Sequence, residues 1–195
     1  MTTSYWFVRH GPTHAKGFCG HTDLPADLSD TAQIERLKNT LPTDAKLLSS
    51  NLIRTRETAR ALYNGQTWLP EMPDLREMNF GAWEGESFET VEKSDPTLWR
   101  NFWESPGSIA PPEGESWHQF SDRVTSALAK LHQAGPQGNI IISGHFAVIL
   151  AAIQHATGMP TTAAFSFKID NFSITKLDYL HKSNNWRVMG VNILA

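Results

Sequence analysis

Bulky, mostly apolar residues run from Ser4 to Val8 and stop at Gly11-Pro12. This predicts a short buried strand with Arg9 and His10 at its carboxyl end. A polar, glycine-containing loop follows from His14 to Asp27. Ile34, Leu37 and Leu41 then recur at helical spacing, with Ser29 or Asp30 placed to cap the helix and Pro42 to end it. Lys46-Leu47-Leu48 predicts a second strand, closing on Ser49-Ser50-Asn51. The next helix starts at once, with Leu52, Thr55, Ala59 and Leu62 on its apolar face. Arg54 lies in its first turn, off that face. The helix dipole disfavours a cation there, and a bound anion would reverse the penalty.

Residues Gln66 to Asp74, with Pro70 and Pro73, read as a loop. Residues 86–115, rich in tryptophan and proline, read as an irregular excursion with short helical pieces. A substrate-facing cap or lid and a surface packing element fit it equally. Ser116 and Gln119 form a capping box for a helix with Phe120, Val124, Ala127, Leu128 and Leu131 inward. Gly135 to Gly138 reads as a turn. The β-branched run Asn139 to Ser143 has the pattern of a central parallel strand. It ends in Gly144-His145, and a nearly all-apolar helix follows to about Thr157. Phe165 to Ile169, Ser173 to Tyr179 and Trp186 to Val191 read as closing strands.

This alternation predicts an α/β fold in one domain, 1–195: a three-layer sandwich whose mostly parallel central sheet has helices on both faces. Three strand ends then deliver Arg9-His10, Ser49-Ser50 leading to Arg54, and His145 to one edge. Open α/β sheets bind their ligands at that edge.

Composition narrows the partners. The chain has 195 residues, 40% hydrophobic and 19% charged, with a net charge of −3. Without a basic run, no nucleic acid or anionic membrane is expected, and any phosphate site must make its positive field locally. Cys19 is the only cysteine, so no internal disulfide is expected and a reducing compartment fits. No signal peptide is visible, and the longest apolar run, Phe146 to Ile153, is too short to span a bilayer. A cytoplasmic protein is expected.

Two guanidinium groups and two imidazoles at one sheet edge suit phosphoryl chemistry. A neutral imidazole attacks phosphorus and can carry the phosphoryl group, a role that His10 could fill. Arg9 and Arg54 would clamp the equatorial oxygens, and His145, if protonated, would add charge. Glu77 would be the general acid, provided burial raises its pKa. His21 and His14 read as loop residues near the substrate entrance, and Arg76 as a substrate-side or surface arginine. His10, His14, Cys19 and His21 also suggest a metal cluster, but Gly11-Pro12 breaks the helix that a four-residue His spacing needs. The tryptophans read as packing residues, with Trp83 the exception because it is close to Glu77 in sequence.

The chain resembles the histidine phosphatase superfamily, the phosphoglycerate-mutase-like group, nearly end to end. Arg9-His10-Gly11 with Thr13 is similar to the opening motif, and Ser49-Ser50-Asn51-Leu52-Ile53-Arg54 to the second. Leu75-Arg76-Glu77 through Phe80-Gly81-Ala82-Trp83-Glu84-Gly85 resembles the acid-residue motif. Gly114-Glu115-Ser116, Ser143-Gly144-His145, Asn171 and Asn192 follow in the family's order.

The resemblance implies a phosphohistidine on His10, a pocket completed by Arg9, Arg54 and His145, and Glu77 as acid and base. It implies no metal and no cofactor. Thr13, Lys16, Phe146, His21 and Arg76 are the further candidates for phosphate or substrate contact. Lys16 stands where asparagine is frequent, Asn51 where proline is usual, Phe146 where a small residue is common and Leu150 where arginine is frequent. The expected activity is hydrolysis of a small phosphorylated metabolite. The alternatives are mutase-type phosphoryl transfer on the same site, or a weakly active phosphate-binding regulatory protein. A homodimer is left open.

Overall fold

The computed structural model describes residues 1–133 and 138–195. Strand β1 (Thr2–Arg9) shows how the layers arise. Tyr5 and Phe7 point into one hydrophobic core and Val8 into another, because successive side chains leave a strand on opposite faces. The same alternation splits Leu47 from Leu48 in β2 (Ala45–Ser49), and Ile141 from Ile140 and Ile142 in β4 (Gly138–Gly144). Helices α1 (Thr31–Thr40) and α2 (Ile53–Leu62) supply Ile34, Leu37, Ala59 and Leu62 to one core. Helices α5 (Trp117–Gln133) and α6 (Phe146–Thr157) fill the other.

With β3 (Thr67–Trp68), β5 (Ile174–Leu180) and β6 (Asn185–Ile193), the sheet runs β3-β2-β4-β1-β5-β6. The pairings among β1 to β4 are parallel, and β5 and β6 close the sheet antiparallel. This is the expected three-layer α/β architecture. Register aligns the functional edge. Arg9 is opposite Gly144 and Ser49 opposite Ser143, so His10, Ser50 and His145 emerge side by side.

The caps follow the local chemistry. Asp30, rather than Ser29, caps α1 by accepting from Gln33 N at 2.9 Å. Ser116 and Gln119 form the reciprocal capping box, at 2.9 and 3.3 Å. Gly158 ends α6 with φ 68°, a left-handed conformation suited to glycine.

Three expectations differ. Phe165 to Ile169 is not a strand. Its first residues bond back to the short helix α7 (Thr161–Ala164), as in Phe165 N to Thr161 O, so no ladder forms. Thr67-Trp68, expected in a loop, pairs with Lys46 and Leu47. A two-residue strand is too short to leave a periodic pattern. Arg54, expected off the packed face of α2, is fully buried. The turn expected over Gly135 to Gly138 lies outside the described residues except for Gly138, which opens β4. The excursion folds as α3 (Phe88–Ser94) and α4 (Pro96–Glu104). Among the described residues, no helix is long and apolar enough to cross a membrane.

Candidate active site

A cavity of about 290 Å³ opens at the carboxyl edge of the sheet. Arg9, His10, Thr13, Arg54, Glu77 and Phe146 all line it. His10 is held from two sides. Its carbonyl accepts from Asn171 Nδ2 at 2.7 Å, and its Nδ1 lies 2.7 Å from the Gly11 carbonyl oxygen. A carbonyl only accepts, so Nδ1 carries the proton and Nε2 keeps its lone pair. Burial first, then the positive Arg54, lower the His10 pKa to about 3. The ring is therefore neutral and nucleophilic near neutral pH.

Arg9 donates from Nη1 to the Ile169 carbonyl at 2.5 Å, and its guanidinium carbon lies 5.3 Å from the centroid of the Phe146 ring. Where the family often has a small residue, this chain has a ring against an arginine of the site. Arg54 donates from Nη2 to Gly20 O at 2.6 Å, from Nη1 to Thr22 O at 2.8 Å, and from Nε to His145 Nδ1 at 3.3 Å.

His145 is fully buried, and its ring stands edge-on to His10 with centroids 5.2 Å apart. Its Nδ1 accepts from Arg54, and its Nε2 is 2.8 Å from Ser50 Oγ. Burial, His10 and Arg54 hold its pKa well below the ordinary histidine value. His145 was expected to add charge only if protonated, and its lowered pKa favours the neutral ring in the site as it stands.

Glu77 is buried at the start of α6. His145 gives that helix no side-chain cap, and Glu77 replaces one by accepting from Ala147 N at 3.1 and 3.3 Å. Met78 N donates to Oε1 at 3.1 Å. Burial raises the Glu77 pKa against the opposing pull of Arg54, these N–H groups and Arg9. That is the direction a proton donor needs.

Four candidates fall outside the cavity lining: His145, which is fully buried against His10 and Arg54, and Lys16, Arg76 and His21. Lys16 is exposed, although its neighbours Ala15 and Gly17 line the cavity. Arg76 donates from Nε to Asn51 Oδ1 at 2.7 Å, so the residue in the usual proline position ties it down. His21 is engaged through its backbone N–H with Glu84 at 2.7 Å. Trp83 is a core residue packed on Phe18 and Phe102. His14 pairs with Asp27 at 2.8 Å. Among the described residues, no three His, Cys, Asp or Glu side chains gather as a metal site would require.

Other cavity residues escaped the sequence reading. Phe88, Phe102, Trp103, Trp117 and Phe165 form aromatic walls, and Cys19 also faces the space. Burial pushes the Cys19 thiol pKa up. For Phe88, Phe102 and Trp103 the signal was the aromatic density of 86–115, which does not by itself tell packing from lining; Trp117 and Phe165 lie outside that segment.

The chain matches the histidine phosphatase superfamily (branch 1) over residues 5–193.

It belongs to that family.

The adenosylcobalamin/alpha-ribazole phosphatase of Escherichia coli (strain K12) is 30% identical over 193 residues, covering 94% of each chain. A probable phosphoglycerate mutase GpmB of Escherichia fergusonii is 28% identical, covering 95% of this chain and 88% of that protein. The crystal structure of the alpha-ribazole phosphatase from Shigella flexneri superposes with a TM-score of 0.85 at 28% identity, covering 98% of this chain and 97% of that one. The α/β fold of this superfamily member is therefore that of solved phosphatase structures.

Proposed function

We propose that this histidine phosphatase superfamily member hydrolyses phosphomonoesters through a phosphohistidine on His10. The His10 Nδ1–Gly11 hydrogen bond carries this reading, because it leaves Nε2 free to attack. Arg9 and Arg54 clamp the phosphoryl oxygens, and Thr13 adds a hydroxyl beside them. The bond from Nε2 to phosphorus forms as the bond to the alcohol oxygen breaks, and Glu77 gives that oxygen its proton. Oε2 of Glu77 makes only the 3.3 Å contact, so it is the oxygen suited to hold this proton. Ionised Glu77 then takes a proton from water, which attacks phosphorus and restores His10.

The walls favour hydrolysis of an ester with a flat, uncharged alcohol part. Beyond Arg9 and Arg54, no lysine or arginine lines the cavity among the described residues. A phosphoglycerate carboxylate would find no cation of its own there. The relative named as an alpha-ribazole phosphatase points the same way, since a benzimidazole ribose phosphate is flat and apolar at one end. Residues 86–115 act as a cap in this reading. The support is that Phe88, Phe102 and Trp103 come from α3 and α4.

Phosphate release is measured for naphthyl phosphate, α-ribazole phosphate and 3-phosphoglycerate, in chelator, with wild type and His10→Ala. Release from the aromatic esters that requires His10 and survives the chelator is expected. Release by His10→Ala at the wild-type rate would remove the phosphohistidine mechanism. Interconversion of phosphoglycerates without hydrolysis would favour the mutase.

A further inference from the structure

Glu84 lies outside the cavity, yet its carboxylate gathers a dense set of hydrogen bonds. It accepts from the backbone N–H of Gly20 (3.1 Å), His21 (2.7 Å), Thr22 (3.1 Å) and Phe80 (3.2 Å), and from the Thr22 hydroxyl (2.6 Å). Three successive N–H groups thus converge on one anion, as in the backbone nests that bind anions elsewhere.

The carbonyls of the same loop do other work. Those of Gly20 and Thr22 hold the two terminal nitrogens of Arg54. Asp23 Oδ1 accepts from Ile53 N at 2.6 Å, which supplies the cap that Leu52 cannot give α2, the helix that carries Arg54. Gly20 permits the close approach. A Cβ there would lie 1.9 Å from Met78 O and 2.5 Å from Glu84 Oε1. Burial alone would raise the Glu84 pKa, but the bonds from Thr22, His21 and Phe80 outweigh it and leave the pKa below the ordinary value. Glu84 is therefore a fixed negative charge behind the loop.

Arginine has five N–H donors in a rigid fork. Here Nε donates to His145 and each terminal nitrogen donates once to the loop. One hydrogen on each terminal nitrogen remains for an anion, and the loop decides where those two point.

We propose that Glu84 is a positioning residue for phosphoryl transfer. It fixes residues 20–22, and through their carbonyls the direction of the Arg54 guanidinium, without touching substrate. This rests on the reading of Arg54 as the phosphate clamp.

The test is a double-mutant cycle with Glu84→Gln, Arg54→Ala and the pair. Two quantities are read: kcat/KM on nitrophenyl phosphate, and affinity for inorganic phosphate by calorimetry. Thermal melting confirms that each variant is folded. The glutamine amide would turn an NH2 toward N–H donors and loosen the loop. Glu84→Gln is expected to lower both quantities by about 10- to 100-fold, the scale of misplacing a clamp. In the Arg54→Ala background the same change should cost less than about 3-fold, because the group it aims is gone.

Equal losses in both backgrounds would overturn the proposal, since a purely structural role is indifferent to Arg54. Unchanged phosphate affinity in folded Glu84→Gln would also overturn it. If Glu84→Gln does not fold, Thr22→Val carries the test by removing only the hydroxyl contact. A loss that disappears in Arg54→Ala supports the relay, and wild-type behaviour in both quantities sinks it. If wild type hydrolyses no phosphomonoester, the hydrolase reading fails, while phosphate affinity still decides the role of Glu84.

Discussion

Arg54 Nε donates to Nδ1 of His145 at 3.3 Å, and that contact orders the protons beneath the site. A nitrogen that accepts holds no proton, so His145 is protonated at Nε2 and donates to Ser50 Oγ at 2.8 Å. The Ser50 hydroxyl then donates to Thr55 Oγ1 at 2.8 Å, and Thr55 to the Leu52 carbonyl at 2.9 Å. Each link is buried and directional.

Ser50→Ala cuts this chain at its centre. It leaves the His145 Nε2–H without an acceptor, a loss of about 1–3 kcal/mol for a buried donor. Urea denaturation should show a lower midpoint with unchanged slope, and turnover should fall as His145 gains freedom to tilt. A variant as stable and as active as wild type would show that the chain does not hold the ring.

Glu77→Gln should separate substrates by leaving group. An alkyl ester leaves as a poor alkoxide and needs a proton, whereas nitrophenolate leaves without one. The rate on alkyl phosphates should therefore fall much further than the rate on nitrophenyl phosphate. Equal slowing would assign Glu77 to holding α6, through Ala147 N, and not to proton transfer.

Trp103→Ala removes part of an aromatic wall at a residue 42% exposed, so the fold should tolerate it. KM for naphthyl phosphate should rise by about 10-fold, the scale of losing one aromatic contact. KM for glycerol phosphate should stay close to wild type, since it reaches only the phosphate end. A parallel rise in both would place Trp103 in cap stability and not in substrate contact.

Acid should destabilise the protein before most carboxylates titrate. His10 and His132 are lowered from 6.5 to about 3 and about 4, the first chiefly and the second largely by burial, and His145 and His155 are lowered too. Above pH 6.5 both states hold these rings neutral, and stability is at its full value. Below it the unfolded chain binds protons that the folded chain refuses, so stability falls as pH drops from 6.5 toward 3. Glu77, with its pKa raised, acts in the opposite sense, but as one group against these four rings and His21, which burial lowers as well. Melting temperature should decline between pH 6.5 and about 5, where ordinary carboxylates remain charged. A flat profile there would mean that these rings are as easily protonated folded as unfolded.

The sequence by itself determined the layers and the edge. Period-two alternation in Tyr5–Val8 and Ile140–Ile142 and period-3.6 faces in α1, α2 and α5 are local patterns, and burial enforces them residue by residue. Gly11-Pro12 follows Arg9-His10, Gly144 precedes His145, and Arg54 lies in the first turn of the helix that follows β2 at once, so these four were legible as a group. Only the tertiary structure decided which side chains share a cavity and which protons they hold. Lys16 faces solvent, Arg76 is tied to Asn51, and His21 lies outside the cavity lining with its ring Nε2 buried. Phe88 and Trp103, distant in sequence from His10, wall its cavity because α3 and α4 fold back over the edge. The neutral state of His145 and the grip of Glu84 on the Arg54 loop arise from contacts between segments tens of residues apart. No spacing encodes them, because hydrogen-bond direction and desolvation are fixed only once the chain has closed on itself.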